Sequence, residues 1–200
     1  MTPYRLKTRQ HAMGSMFEMI DTVIPGCVEI RPRIYEDNRG RFVKGWSRQV
    51  FADAGLYAEY AEEFYSVSRC GVVRGLHFQL PPMDQVKLVY CVSGRVQDAV
   101  LDLRRNSFTY GRFALVELSA QVGNILYIPK GLAHGFCTLS ETATMVYKVS
   151  SAYSREHDCG VLWSSAGIPW SITDPILSDR DRAHPSFGAF VSPFDGEAAE

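Results

Sequence analysis

The sequence predicts an all-β protein built as an antiparallel sandwich or barrel, and three observations lead there. Short apolar runs of strand length follow one another between residues 72 and 149, with Gly, Pro, Asn and Ser punctuating them. Within one run Val96, Asp98, Val100 and Asp102 share a face by period two, while Gln97, Ala99, Leu101 and Leu103 share the other. Helix signals are confined to two brief stretches.

In chain order, residues 48–55 fit one or two turns of helix, with Ser47 as N-cap and Gly55 as stop. Strands are expected at 72–79, 86–92 and 95–103, the last two joined at Ser93-Gly94. Asn106-Ser107 precedes a strand at 113–118, and Gly123-Asn124 one at 125–128. Pro129-Lys130-Gly131 leads into 133–139, and 144–149 follows. Residues 177–183 read as a second short helical turn. The face that carries Asp98 and Asp102 is mixed, so that strand is expected to border a polar cavity.

The 200 residues suit one domain, and 46% apolar content is enough for a real core. Residues 1–15 read as an N-terminal appendage, with His11-Ala12-Met13-Gly14-Ser15 resembling a cloning scar. The domain is expected over 16–190, with a loosely held tail at 191–200. A net charge of −1 favours neither nucleic acid nor an anionic membrane surface. No apolar run reaches the ~18 residues of a membrane span, and no apolar segment follows Arg5, Lys7 and Arg9 to make a signal peptide. Cys27, Cys70, Cys91, Cys137 and Cys159 are odd in number, scattered and without CxxC spacing. A disulfide framework is not expected, and the cytoplasm is the expected compartment.

Arg74-Gly75-Leu76-His77-Phe78-Gln79 places a cation and an imidazole inside an apolar strand. Alone, the pair reads first as a surface arginine and a core histidine, and only second as a site for proton chemistry beside an anion. His134 lies on another strand. A metal centre would want further His, Cys or carboxylate ligands at short spacing, and His77 has none beside it, so metal is not expected. Lys87 opens a strongly apolar strand, as a strand-end surface charge or as a cation aimed at an anion. Tyr147 and Tyr153 are either amphipathic core residues or candidate acids. Asp179 and Asp181 suit a solvated helix start, or one of them could orient a histidine. Arg39 follows the turn at Asp37-Asn38, where it could grip a phosphate or simply be exposed.

Taken in order, these segments resemble the dTDP-4-dehydrorhamnose 3,5-epimerase family. The resemblance is carried by Gly71-Val72-Val73-Arg74-Gly75-Leu76-His77-Phe78-Gln79 and Lys87-Leu88-Val89-Tyr90-Cys91-Val92-Ser93-Gly94. It continues through Asp102-Leu103-Arg104, Ile128-Pro129-Lys130-Gly131-Leu132-Ala133-His134-Gly135-Phe136, Tyr147-Lys148 and Leu177-Ser178-Asp179-Arg180-Asp181. It implies a cupin-like double-sheet jelly roll with short helical turns and arms, working as a homodimer without metal or organic cofactor. It implies a nucleotide-linked 4-keto-6-deoxy sugar as substrate. By motif position His77 resembles the base, Asp181 its partner, Tyr147 the acid, and Lys87 and Arg74 the cations near the sugar oxygen. Gln79, His134 and Tyr153 match pocket positions. Arg39 and Phe42 match residues that reach the nucleotide from the dimer-related subunit.

The implied reaction suits these side chains. A ketone at carbon 4 acidifies the C–H bonds at carbons 3 and 5, His77 removes a proton, and the cations hold the enolate oxygen. Tyr147 returns a proton from the other face. Two stretches depart from the family pattern. Glu62-Glu63-Phe64-Tyr65-Ser66 stands where Gln-x-Asn-x-Ser is usual, so Glu62 is expected at the substrate. Lys44 ends Phe42-Val43-Lys44, where glutamate is common. Two further readings stay open: a keto-sugar isomerase on a related fold, and a non-catalytic metal- or sugar-binding cupin.

Overall fold

The computed structural model describes residues 16–195, so the expected appendage at 1–15 lies outside them, as do residues 196–200 of the tail. Six antiparallel strands form one sheet. Across it they run β1 (Phe17–Asp21), β2 (Val28–Pro32), β10 (Ile125–Ile128), β7 (Lys87–Ser93), β12 (Thr142–Val149) and β5 (Glu62–Arg69). Five more form the second sheet, in the order β13 (Asp158–Gly160), β6 (Val73–Gln79), β11 (Leu132–Thr138), β8 (Arg95–Asp102) and β9 (Phe113–Ser119). A separate hairpin joins β3 (Ile34–Asp37) to β4 (Gly40–Val43).

Each strand's alternation decides what it buries. On β7, Val89 and Cys91 point between the sheets, while Leu88 points to the outer side of the first sheet. The layer between the sheets is filled by Val89, Val100, Leu126, Phe136 and Met145, all essentially inaccessible. Burying one such side chain stabilises the fold by about 1.5–3 kcal/mol. The outer face of the six-stranded sheet is covered by α1 (Arg48–Asp53), whose Phe51 packs edge-on to Phe17. Gly55 follows this helix in the left-handed region at φ +72°, a stop that suits glycine. The outer face of the second sheet buries Leu76, Phe78, Leu101, Val161 and Phe194. Ser192 and Phe194 are buried, and the Phe194 carbonyl accepts a hydrogen bond from Arg105 N at 2.9 Å.

Candidate active site

The cavity lies between the two sheets, with Phe64, Lys87 and Tyr147 from one and Arg74, His77 and His134 from the other. β6 meets β11 with His77 opposite His134 and Arg74 opposite Phe136. Three steps along β6 thus match two along β11, and Gly75 with Leu76 shares Gly135 as neighbour. A regular strand would send residues 74 and 77 to opposite faces; the extra residue brings both to the cavity. Only glycine fits here. Gly75 has φ +130°, and a Cβ on it would lie 2.5 Å from Gly135 Cα. A Cβ on Gly135 would lie 2.7 Å from the Arg74 carbonyl oxygen.

His77 receives its partner from the far end of the chain. α2 (Asp179–Ala183) is capped by Ser178, whose hydroxyl accepts the Asp181 N–H at 3.1 Å. Asp181 then meets His77, with Nε2 and Oδ1 2.6 Å apart. Burial alone would raise the Asp181 carboxyl, but the His77 hydrogen bond and charge outweigh it and hold the pKa below the ordinary value. An ionised Asp181 fixes the Nε2–H tautomer of His77 and leaves Nδ1 as its basic nitrogen. Burial lowers the His77 pKa, against the pull of Asp181, so the imidazole is neutral at pH 7.

Lys87 and Tyr147 belong to the opposite sheet. Lys87 Nζ donates to the His77 carbonyl at 3.2 Å, and burial pushes its pKa down to about 8, with Asp158 opposing. The Tyr147 hydroxyl lies 3.3 Å from Ser66 Oγ, and burial pushes its pKa well above the usual phenol value. The cavity, of about 290 Å³, is lined by both of these residues and by Arg74, His77 and His134. Arg74 is steadied by Ser68, Nε to Oγ 2.9 Å. His134 meets buried Asp98 through Nε2 and Oδ2 at 2.8 Å, and burial raises the Asp98 carboxyl despite the imidazole.

The other expected positions divide by place. Glu62 and Tyr153 stand in the cavity wall, where Glu62 Oε2 accepts the Tyr153 N–H at 3.2 Å. Gln79 also lines it, but its amide is spent on the chain. It donates to the Met83 carbonyl at 2.8 Å and accepts Ser154 N–H at 2.6 Å. Arg39 and Phe42 lie on the β3–β4 hairpin and do not line this cavity. Arg39 pairs with Asp37 at 2.6 Å, and Phe42 is 62% exposed.

Asp158 and Arg180 in the wall, and Asp98 and His184 behind it, are not marked as site residues by the sequence. Asp98 was visible as an aspartate on a mixed strand face. Its companion Asp102 serves the fold instead, accepting from Arg104 and Thr109. Asp158 and Arg180 pair at 2.6 Å beside Tyr153, whose hydroxyl donates to Asp158 at 3.2 Å. Arg180 adjoins Asp181 in sequence, but nothing local marks Asp158. His184, Asp181 and His77 hold donor atoms within 4.8 Å of one another, a grouping that short-range spacing does not reveal.

A neutral imidazole backed by a carboxylate faces a tyrosine and a lysine from the opposite sheet across a shielded cavity. This arrangement defines a proton-transfer enzyme on a double-sheet β-barrel. The family model for dTDP-4-dehydrorhamnose 3,5-epimerase matches residues 21–189. The dTDP-4-dehydrorhamnose 3,5-epimerase of Shigella flexneri is 43% identical over 166 residues, spanning 82% of this chain and 92% of that protein. That of Mycobacterium tuberculosis strain CDC 1551 is 43% identical over 171 residues, spanning 82% and 84%. The crystal structure of the Legionella pneumophila dTDP-6-deoxy-D-glucose-3,5-epimerase with dTDP-4-keto-L-rhamnose superposes with TM-score 0.84 at 32% identity, covering 88% of this chain and 95% of that one. ChmJ, a 3′-monoepimerase from Streptomyces bikiniensis in complex with dTDP-quinovose, gives TM-score 0.78 at 33% identity, covering 83% and 86%. The chain belongs to the dTDP-4-dehydrorhamnose 3,5-epimerase family and is an isomerase of the epimerase class. Among the described residues no helix is long and apolar enough to cross a membrane.

Proposed function

We propose that the protein inverts carbons 3 and 5 of a dTDP-linked 4-keto-6-deoxy hexose, with no metal or organic cofactor taking part. The observation that carries this reading is the placement of base and acid on facing walls. His77 stands on β6 of one sheet and Tyr147 on β12 of the other, with one cavity between them. Inversion needs that separation, since the proton must leave one face of a carbon and return to the other.

His77 Nδ1 takes the proton beside the ketone, and the imidazolium is stabilised by Asp181. Negative charge moves to oxygen 4, where Lys87 and Arg74 hold it. Such preorganised cations in a shielded site are typically worth several kcal/mol. Tyr147 donates its hydroxyl proton to the opposite face and is recharged from solvent. The nucleotide assignment is supported by the relatives, which are named for dTDP sugars. A homodimer completes the site, the partner's β3–β4 hairpin bringing Arg39 and Phe42 to the nucleotide. Its exposure in a single chain supports that role. The five cysteines are free thiols, as suits work in a reducing cytoplasm.

The test is deuterium wash-in. Incubated with dTDP-4-keto-6-deoxyglucose in deuterium oxide, the protein should place deuterium at carbons 3 and 5 and yield the inverted sugar by NMR. Exchange at neither carbon defeats the reading. Product with a displaced carbonyl would instead establish the keto-sugar isomerase.

A further inference from the structure

His184 takes no part in the chemistry above, yet its surroundings are shaped around it. It follows α2 directly, and its Nε2 lies 3.7 Å from Asp181 Oδ1, the oxygen that His77 Nε2 meets at 2.6 Å. Its ring stands edge-on to that of His77, with centroids 5.6 Å apart. A Cβ on Gly160 would fall 2.4 Å from His184 Nε2, so the glycine clears the space for the imidazole. Among the described residues, that buried Nε2 has no hydrogen-bond partner. Two imidazole nitrogens and a carboxylate oxygen therefore converge within 4.8 Å of one another.

Two imidazoles and a carboxylate are a donor set for borderline divalent ions, zinc foremost. Zinc bonds of about 2.0–2.2 Å place tetrahedral donors roughly 3.3 Å apart, so these groups need side-chain shifts of about 1 Å or a little more. His77 is 27% exposed, which leaves an entry path from the cavity and room for water in a fourth position. The neighbouring cations work against an ion here, but Arg180 is already paired with Asp158. Lys87 is directed to the His77 carbonyl.

We propose that His77, Asp181 and His184 form a binding site for Zn²⁺ or a similar divalent transition ion, and that the bound ion switches the base off. The switch rests on His77 being the base; the ion site does not. His77 carries its proton on Nε2 in the working enzyme. Coordination needs the Nε2 lone pair, so that proton moves to Nδ1 through solvent. The nitrogen left for the substrate is then an N–H and cannot accept a proton.

The test titrates the full chain with Co²⁺, followed by its visible absorption, and with Zn²⁺ by calorimetry, alongside the deuterium-exchange assay. The expected result is one ion per chain, a tetrahedral cobalt band, and loss of exchange over the same concentrations, reversed by a chelator. His184→Gln should weaken ion binding by at least about tenfold, since even outer-shell partners of a metal are worth about 10–100-fold. Anomalous diffraction from zinc-soaked wild-type crystals locates the ion without any variant. No binding at millimolar ion, unchanged affinity in a folded His184→Gln protein, or an anomalous peak at exposed Cys70 overturns the site. An ion located at the three ligands with exchange undiminished overturns the switch, and with it the assignment of His77 as base, while the site itself stands.

Discussion

Phe64 lies flat on Tyr147, ring centroids 4.8 Å apart and planes 15° apart. The contact follows from register, for Phe64 on β5 sits directly opposite Tyr147 on β12. Ser66, two residues along on the same face, holds the hydroxyl. Stacking of this kind is worth about 0.5–1.5 kcal/mol, so Phe64→Ala should lower kcat by about 3–10-fold with a smaller effect on KM. Tyr147→Phe keeps the ring and His77 but removes the hydroxyl that the proposed mechanism uses to return the proton. Product should fall about 10²–10⁴-fold while deuterium still enters the substrate. Loss of exchange together with product would show that Tyr147 is needed for abstraction as well.

In the proposed mechanism Asp181 acts through His77, which it meets at 2.6 Å. Asp181→Asn offers an amide in place of a carboxylate, so the tautomer is no longer fixed and the imidazolium is no longer stabilised. A fall in kcat of about 10³–10⁴-fold is expected by analogy with orienting aspartates elsewhere, with the thermal midpoint little changed. Activity within tenfold of wild type would contradict the pairing as a working dyad.

The pH profile should be bell-shaped. Activity is lost as pH falls through the His77 pKa, which burial places below 6.5. It is lost again as Lys87 discharges near pH 8. Lys87→Arg should move the alkaline limb upward. The stability effect has the opposite sign. In the unfolded chain the lysine keeps its proton to its ordinary value of 10.5, while in the folded protein it releases it near 8. The unfolded state therefore binds more protons between those values, and stability rises with pH across that window. Lys87→Met should be more stable than wild type at pH 7, much less active, and without that rise. Denaturant titrations at pH 7 and at about pH 9.5, bracketing most of the window, check both statements.

Gly75→Ala should damage the fold before it touches the chemistry. The residue's positive φ costs an alanine about 1–3 kcal/mol, and its methyl would press on Gly135. Lower thermal stability with a displaced Arg74 is expected. A crystal structure of the variant with the bulge intact would refute this account of why glycine is required.

Legibility tracked sequence distance. The strands from 73 to 149 were readable because each carries its own apolar run and turn signals. β5 carries no such signal, since Glu62-Glu63-Phe64-Tyr65 lies on an edge and shows little alternation. β1 and β2, short and interrupted by charge, carry no clear strand signal either. Within the site, Arg74 and His77 were found as neighbours, but plain alternation would have set them on opposite faces. The bulge that unites them depends on backbone contact with Gly135, distant in sequence. Asp181 was placed through family resemblance. Its contact with His77 spans 104 positions, and no local pattern encodes it. Gln79 appeared as a pocket residue, while its hydrogen bonds show it bracing the loop that carries Tyr153.

The docking of α2 against β6 has a consequence in time. His77 is synthesised long before Asp181, and every strand of both sheets precedes α2 in the chain. A nascent chain can thus close both sheets while His77 still lacks its carboxylate partner. On the proposed mechanism, His77 is completed as a base only when the segment through Asp181 comes to rest against β6, so activity reports that this late contact has been made and not merely that the sheets have closed.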